Sequence, residues 1–257
     1  MQKDGKYIYC IIASDYDCNF GSIGIGSEKN LVTTIGFGGL CMVVSNHPLN
    51  KFIVNPENIL AHQKVIEKVM TEFRSVIPVR FGTIAATPDE IRNLLERRYS
   101  EFSELLRTFE NKVEFNVKGI WKNIDIIYKE IDAENAAIQA IRNEVEQESD
   151  PELKKKKMDN AGQIIQRSLG KKKEQETANI LESFRRVVFD LRQNKNNDDR
   201  MFMNTAFLVN SGREREIDNI MTDLGDQYRD RIDFIYTAPL PIFSFIDLKI
   251  FPEKWEV

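Results

Sequence analysis

Two periodicities alternate along the chain. From Tyr7 to Ala13 every position is apolar apart from hydroxyls and one thiol, which suits a central strand buried on both faces. Leu31 to Ile35 is also strand-like, and Gly36, Gly38 and Gly39 predict a turn into a second strand over Leu40 to Val44. At Asn55 the spacing changes to threes and fours. Asn55 fits an N-cap and Pro56 the first helical position, and Ile59, His62, Ile66, Val69 and Phe73 fall on one stripe that Val65 and Met70 widen. Ser75 to Thr83 then has the length of a single strand closed by Gly82, with Pro78 near its start or on a sheet edge because it lacks an N–H. Strict alternation puts Ile77, Val79 and Phe81 on one face and Pro78, Arg80 and Gly82 on the other. Strand, hairpin, helix and strand make an α+β unit close to a ferredoxin-like arrangement with its first helix missing or shortened.

Thr87-Pro88-Asp89-Glu90 opens a second capped helix, whose stripe of Ile91, Leu94, Leu95, Phe102, Leu105, Leu106 and Phe109 predicts a long element bridging two domains. Beyond it Val113, Phe115 and Val117 alternate with Glu114, Asn116 and Lys118, the pattern of a half-buried strand. Ile120, Ile124, Ile127, Ile131, Ile138, Ile141 and Val145 then form a heptad-like seam, predicting one helix over about 122–148 that ends at Asp150-Pro151. A second stripe from Leu153 to Leu191, including Met158, Ile164, Ile165, Leu181, Phe184 and Val188, predicts its antiparallel partner. Gly162 and Gly170 weaken that partner by about 1 kcal/mol each relative to alanine. Gln193 to Arg200 is a loop, Met201 to Asn210 a strand, Arg213 to Arg229 a helix, and Ile232 to Tyr236 a strand. The predicted fold class is α+β in two domains. Residues 1–108 form an N-terminal ferredoxin-like domain that includes the bridging helix. Residues 109–257 form a modified ferredoxin-like domain with a long helical pair and a C-terminal tail.

Composition narrows the function. A net charge of −4 over 257 residues argues against a surface built for nucleic-acid phosphates. The runs Lys154–Lys157 and Lys171–Lys173 are interspersed with Glu152, Asp159, Glu174 and Glu176 and carry no aromatic residue for base stacking, so they read as a solvated helix face. Cys10, Cys18 and Cys41 lack CxxC spacing and have only His47 and His62 to join them, which predicts buried reduced thiols and no metal or cofactor. The start, with Lys3, Asp4 and Lys6, is unlike a signal peptide, and no run reaches the length of a membrane span, so a cytoplasmic protein is expected. Gly21-Ser22-Ile23-Gly24-Ile25-Gly26 leads into a strand rather than a helix, so it lacks the context of a dinucleotide loop. A ligand-binding regulatory module using the Gly21–Gly26 loop stays as the alternative. His62 lies on an apolar stripe as a core histidine, and no nucleophile, base and orienting acid can be assembled, so no catalytic residue is assigned. Arg80 needs a counter-charge, for which Asp89 or Glu90 across the domain junction is expected.

The ending, Ala238-Pro239-Leu240-Pro241-Ile242-Phe243-Ser244-Phe245-Ile246-Asp247-Leu248, holds two prolines among large apolar groups and is no regular central strand. It either packs back across the protein's own sheet or leaves an apolar patch for a partner.

Five stretches in order carry a family likeness: Asn55 to Met70 with His62, Pro78-Val79-Arg80-Phe81-Gly82-Thr83, Lys112-Val113-Glu114-Phe115, Thr205-Ala206-Phe207-Leu208-Val209, and Pro239-Leu240-Pro241 with Phe243-Ser244-Phe245. Together they resemble the gas vesicle protein F and L family, closer to the F type. Ala238 and Asn111 stand where the family usually has glycine, and Ile242-Phe243 where a proline and a tyrosine are common. The resemblance implies a two-domain α+β accessory component of the gas vesicle, a hollow buoyancy organelle with a protein wall. It further implies association with the small hydrophobic major shell protein, and with other minor gas vesicle proteins, in nucleation or assembly. No nucleic acid or membrane partner is implied. On this basis Pro239, Pro241, Phe243 and Phe245 are the candidate partner-facing residues, and Arg80, Phe81 and Gly82 the candidate structural residues of the domain junction.

Overall fold

The computed structural model describes residues 4–26, 30–49, 54–196 and 198–250. It is a mixed helix and sheet protein with two antiparallel sheets. The chain divides into two compact units. The first comprises Met1–Glu114, Leu208–Ser211 and Pro239–Val257, and the second Phe115–Phe207 and Gly212–Ala238. The tail thus counts with the first unit although it follows the second in sequence.

The first unit is built on β1 (Asp4–Ala13), β2 (Asn19–Gly21), β3 (Val32–Phe37) and β4 (Leu40–Pro48), with α1 (Pro56–Met70), the two-residue strands β5 (Ile77–Pro78) and β6 (Ile84–Ala85), α2 (Pro88–Arg97) and α3 (Tyr99–Thr108). The sheet order is β2-β3-β4-β1-β5, with β6 also on β1. The hairpin between β3 and β4 turns on Gly38 and Gly39, both at positive φ, which is the backbone that a tight two-residue turn demands. β1 is central, and each of its faces has a core. Ile8 and Ile11 pack with Met42, Val44, Ile91, Leu95, Phe102 and Leu106, so α2 and α3 cover that side. Tyr7, Tyr9 and Ile12 pack with Val43, Val65, Ile66 and Val69, so α1 covers the other. A bulge at Tyr9, where the partner of Ile8 is Val44 and that of Cys10 is Val43, turns Tyr9 and Cys10 toward the same core. This is why the strand reads as apolar throughout rather than alternating.

Several expectations are corrected here. The strand predicted through Gly82 stops at Pro78. Ile77, Pro78 and Val79 are all buried, and Gly82, at φ 86°, turns the chain, so Phe81 joins the core opposite to that of Ile77 and Val79. The long helix expected from Thr87 is two, broken at Arg98, whose guanidinium is spent on Glu101 and on the carbonyl of Lys249. Arg80 is exposed and makes no ion pair with either expected acid: Asp89 pairs with Arg92 at 2.8 Å, and Glu90 accepts the Ala86 amide. In the Gly21–Gly26 loop the amides of Gly24 and Ile25 are already donated, to the Asn30 carbonyl and the Tyr9 hydroxyl.

In the second unit β7 (Lys112–Trp121) leads to α4 (Ile124–Glu134), α5 (Ala136–Gln147), α6 (Pro151–Phe184), β8 (Val188–Gln193), β9 (Met201–Asn210), α7 (Glu214–Gln227) and β10 (Ile232–Leu240), with sheet order β10-β7-β9-β8. The predicted helix over 122–148 is interrupted at Asn135. Its backbone is extended and its side chain accepts the Ala137 amide at 3.1 Å, so a local cap replaces helix continuation. The partner helix α6 runs unbroken for 34 residues through Gly162 and Gly170, about 50 Å, and packs on both α4 and α5. It ends at Phe184, so Val188 and Leu191 belong to β8 rather than to a helical stripe. Stacked rings fill the unit's core, Phe184 on Phe207 at 4.7 Å and Trp121 on Phe202 at 5.2 Å. Nor are the basic runs uniformly solvated. Lys172 lies between Glu130 and Glu134, at 2.7 and 2.9 Å, and Glu130 also receives a forked pair of bonds from Arg231. Arg231 and the Trp121 indole N–H both reach Glu176. Finally, β10 carries Pro239 inside a strand; because β10 is a sheet edge, the missing N–H is tolerated.

Candidate partner-binding site

The candidate residues of the tail lie in the first unit, and the site grows from α1. Asn55 accepts the Asn58 amide at 2.8 Å and Pro56 occupies the first turn, so the helix starts where the stripe predicts. One face buries His62, Val65, Ile66 and Val69, while Ile59 and Leu60 remain exposed.

His62 is 3% exposed. Its Nε2 lies 3.2 Å from the Val79 carbonyl oxygen, which can only accept, so Nε2 carries the proton. Nδ1 therefore accepts from the Tyr7 hydroxyl, 2.9 Å away, and that hydroxyl in turn accepts the Gly82 amide at 2.9 Å. Burial pushes the imidazole down to about 4, against the opposite pull of the Val79 carbonyl. Burial likewise raises the Tyr7 phenol well above its ordinary value. The group is thus a neutral relay tying β1, α1 and the Val79–Gly82 turn together. Four rings surround the imidazole: Tyr7 and Phe81 edge-on, Tyr9 stacked at 5.6 Å, and Phe243 at 6.1 Å.

Phe243 connects this relay to the tail. Residues Phe243–Phe245 form a short 3-10 turn, and Ser244 within it is held by Glu114. One carboxylate oxygen accepts the Ser244 amide at 2.8 Å and the other the Ser244 hydroxyl at 2.7 Å. Alternation assigned Glu114 to a solvated face; instead it is 4% exposed. Burial raises its carboxyl, and the two bonds from Ser244 partly offset that rise. Nothing in the sequence links a strand glutamate to a serine 130 positions later, so this anchor was not legible.

The four tail candidates part company. Pro239 is exposed and Phe243 is 41% exposed, whereas Pro241 is buried and Phe245 packs against the core shared with α2 and α3. Ile242 and Leu248 are buried in that same core. Pro241 and Ile242 also line a cavity of about 340 Å³, together with Met70, Phe73, Val76 and Val113. Asn111, on its rim, has φ 54° and is the one non-glycine residue at positive φ among those described. Of the other three, Phe81 and Gly82 belong to the His62 relay and Arg80 points to solvent beside them. Among the described residues no cluster of His, Cys, Asp and Glu could hold a metal ion, and no helix is long and apolar enough to cross a membrane.

Comparison with known proteins gives this geometry its context. The family model described as gas vesicle synthesis protein GvpL/GvpF matches residues 5–247. Gas vesicle protein F of Nostoc sp. is 22% identical over 92% of this chain and 97% of its own. Gas vesicle protein F1 of Halobacterium salinarum is 23% identical over 98% and 97%. The crystal structure of gas vesicle protein GvpF from Anabaena sp. superposes with a TM-score of 0.81 at 18% identity, over 96% of this chain and all of that one, which establishes a shared fold. With the family model spanning nearly its whole length, the chain belongs to the GvpL/GvpF family of gas vesicle synthesis proteins.

Proposed function

We propose that this gas vesicle accessory protein works without catalysis, by holding the small hydrophobic shell subunit during nucleation or assembly of the vesicle wall. The observation that supports this reading is the anchored tail. Glu114 fixes the 3-10 turn through both carboxylate oxygens, so Phe243 is presented half-exposed on a rigid base, with the 340 Å³ cavity lined by Pro241 and Ile242 on the same segment. A large aromatic group held in place loses little freedom on binding, which is the property of an interface anchor.

Within this proposal Phe243 and Pro239 touch the partner, while Pro241 and Phe245 position the tail. Phe81 and Gly82 keep the His62 relay behind Phe243 in register, with Arg80 at its margin. Further minor gas vesicle proteins are candidates for the same surface.

The test is capture of purified shell subunit by the full chain and by Phe243→Ser. Because Phe243 is partly solvated, the variant is expected to fold, which circular dichroism checks. Capture is expected to fall by at least about tenfold, the loss typical of a central aromatic anchor. Equal capture by a folded variant overturns the assignment.

A further inference from the structure

The segment that presents Phe243 also lines a hole. Pro241 and Ile242, the two residues before it, border the cavity of about 340 Å³, to which the buried Val76 and Val113 add further apolar surface. Three stretches of backbone frame this cavity: the turn after α1, the start of β7 and the residue that follows β9. They are tied to one another, because the Asn111 amide donates to the Arg74 carbonyl and the Ser211 amide to the Asn111 carbonyl, both at 2.8 Å. A frame held in this way needs little ordering when something enters it.

Size and charge define what fits. The cavity is smaller than one turn of α-helix with its side chains, about 10–12 Å across and 5.4 Å long, so a helix cannot sink into it and only side chains can. Its charges are unbalanced. Glu72 is taken by Lys68 at 2.7 Å, whereas Arg74 is exposed and makes no ion pair or side-chain hydrogen bond among the described residues. An unpaired guanidinium at the margin of an apolar cavity attracts a carboxylate and repels a second cation.

From these facts we infer that the cavity receives a large apolar side chain of the partner, and that Arg74 pairs with a carboxylate beside that side chain. On the function proposed above, on which this rests, the partner is the same hydrophobic subunit that meets Phe243. Residues 241–243 then supply both a knob and the edge of a hole: Phe243 reaches out to the partner, and one of the partner's side chains reaches in past Pro241 and Ile242. The entering side chain leaves water and supplies most of the affinity, while the acid stays hydrated at the rim and selects which apolar side chain enters. An apolar side chain flanked by lysine or arginine is disfavoured at the same place, because two cations would then face each other.

Capture of purified shell subunit by the full chain tests this with two variants, each compared with wild type in dilute buffer and near 1 M salt. Ser211→Trp sets an indole at the cavity's lining, and should lower capture by roughly tenfold at either salt concentration. Arg74→Glu turns attraction into repulsion and should lower capture by roughly fivefold in dilute buffer, a deficit that shrinks as salt shortens the screening distance to about 3 Å. Both positions are exposed, and circular dichroism establishes that the variants are folded. Wild-type capture by folded Ser211→Trp overturns the inference, as does an Arg74→Glu variant whose capture is normal or whose deficit ignores salt. If Phe243→Ser still loses capture in those cases, the docking function stands and only the cavity's part in it falls. A wild-type chain that captures no shell subunit removes both.

Discussion

The two units solve the problem of polar groups in opposite ways. In the first, the His62 relay is buried and neutral: each proton has one donor and one acceptor, and no formal charge takes part. In the second, Arg231, Lys172, Glu130 and Glu176 form a charged cluster that still touches water. Charge is stabilised there by opposite charge, and hydrogen bonds from Arg231 followed by those from Lys172 outweigh burial to hold the Glu130 carboxyl at about 2. A neutral buried relay is stable only while its histidine stays unprotonated; a hydrated ion cluster keeps its contribution down to about pH 4.5, the ordinary carboxylate value, but is weakened by salt. The two units are therefore expected to respond to different solution variables.

The largest effect expected is with pH. His62 titrates near 6.5 when unfolded and near 4 when folded. Between those values the unfolded chain binds the extra proton, so stability falls as pH drops, by up to about 3 kcal/mol at pH 4 and below. Glu114 acts in the opposite sense, since its raised carboxyl takes up a proton more readily in the folded state. Glu130 is deprotonated in the folded state throughout this window and loses its contribution only below about pH 4.5. Comparison with His62→Gln isolates the histidine. Glutamine can donate to Val79 and accept from Tyr7 but cannot titrate, so urea unfolding of the variant should lack the component between pH 6.5 and 4. An unchanged pH slope would show that the relay does not carry the acid sensitivity.

Next in size is the charged cluster. Arg231→Met keeps the volume but leaves Glu130 and Glu176 without their shared guanidinium, at an expected cost of about 2 kcal/mol in dilute buffer. Raising the ionic strength toward 1 M shrinks the screening distance to about 3 Å, so the difference from wild type should shrink with it. A difference independent of salt would mean that Arg231 acts through packing.

How much of this was visible in the sequence depends on how far apart the interacting groups are. Helix starts at Asn55 and Thr87 were legible because a cap and its proline are neighbours. The central position of β1 was legible because burial on both sides leaves no polar residue to alternate. The stripe that named His62 as a core residue came from local spacing alone, but its partners Tyr7 and Val79 did not. Asn135 was missed because the heptad seam carries on across it, while its side chain competes for a single amide and wins. Val188 and Leu191 kept helical spacing from Phe184 by coincidence, and only the sheet shows them to be a strand. At the candidate site, hydrophobicity marked the tail correctly as unusual. It could not separate the exposed Phe243 from the buried Pro241, because that depends on Glu114.

Asn111 gives the finest distinction between what sequence and structure say. In sequence it is one asparagine in a turn; in the structure it sits at φ 54°, where a side chain is strained and asparagine is among the few residues to tolerate it. Its amide donates to the Arg74 carbonyl and its carbonyl accepts the Ser211 amide, both at 2.8 Å, so the backbone cannot relax without losing bonds. Two substitutions separate conformation from side-chain chemistry. Asn111→Gly removes the strain but adds unfolded-state entropy, and the balance should be within about 1 kcal/mol of wild type. Asn111→Val keeps a side chain of similar size but brings β-branching into the left-handed region, and should cost about 1–2 kcal/mol more than glycine. If valine proved as stable as glycine, the position would owe nothing to its backbone angle.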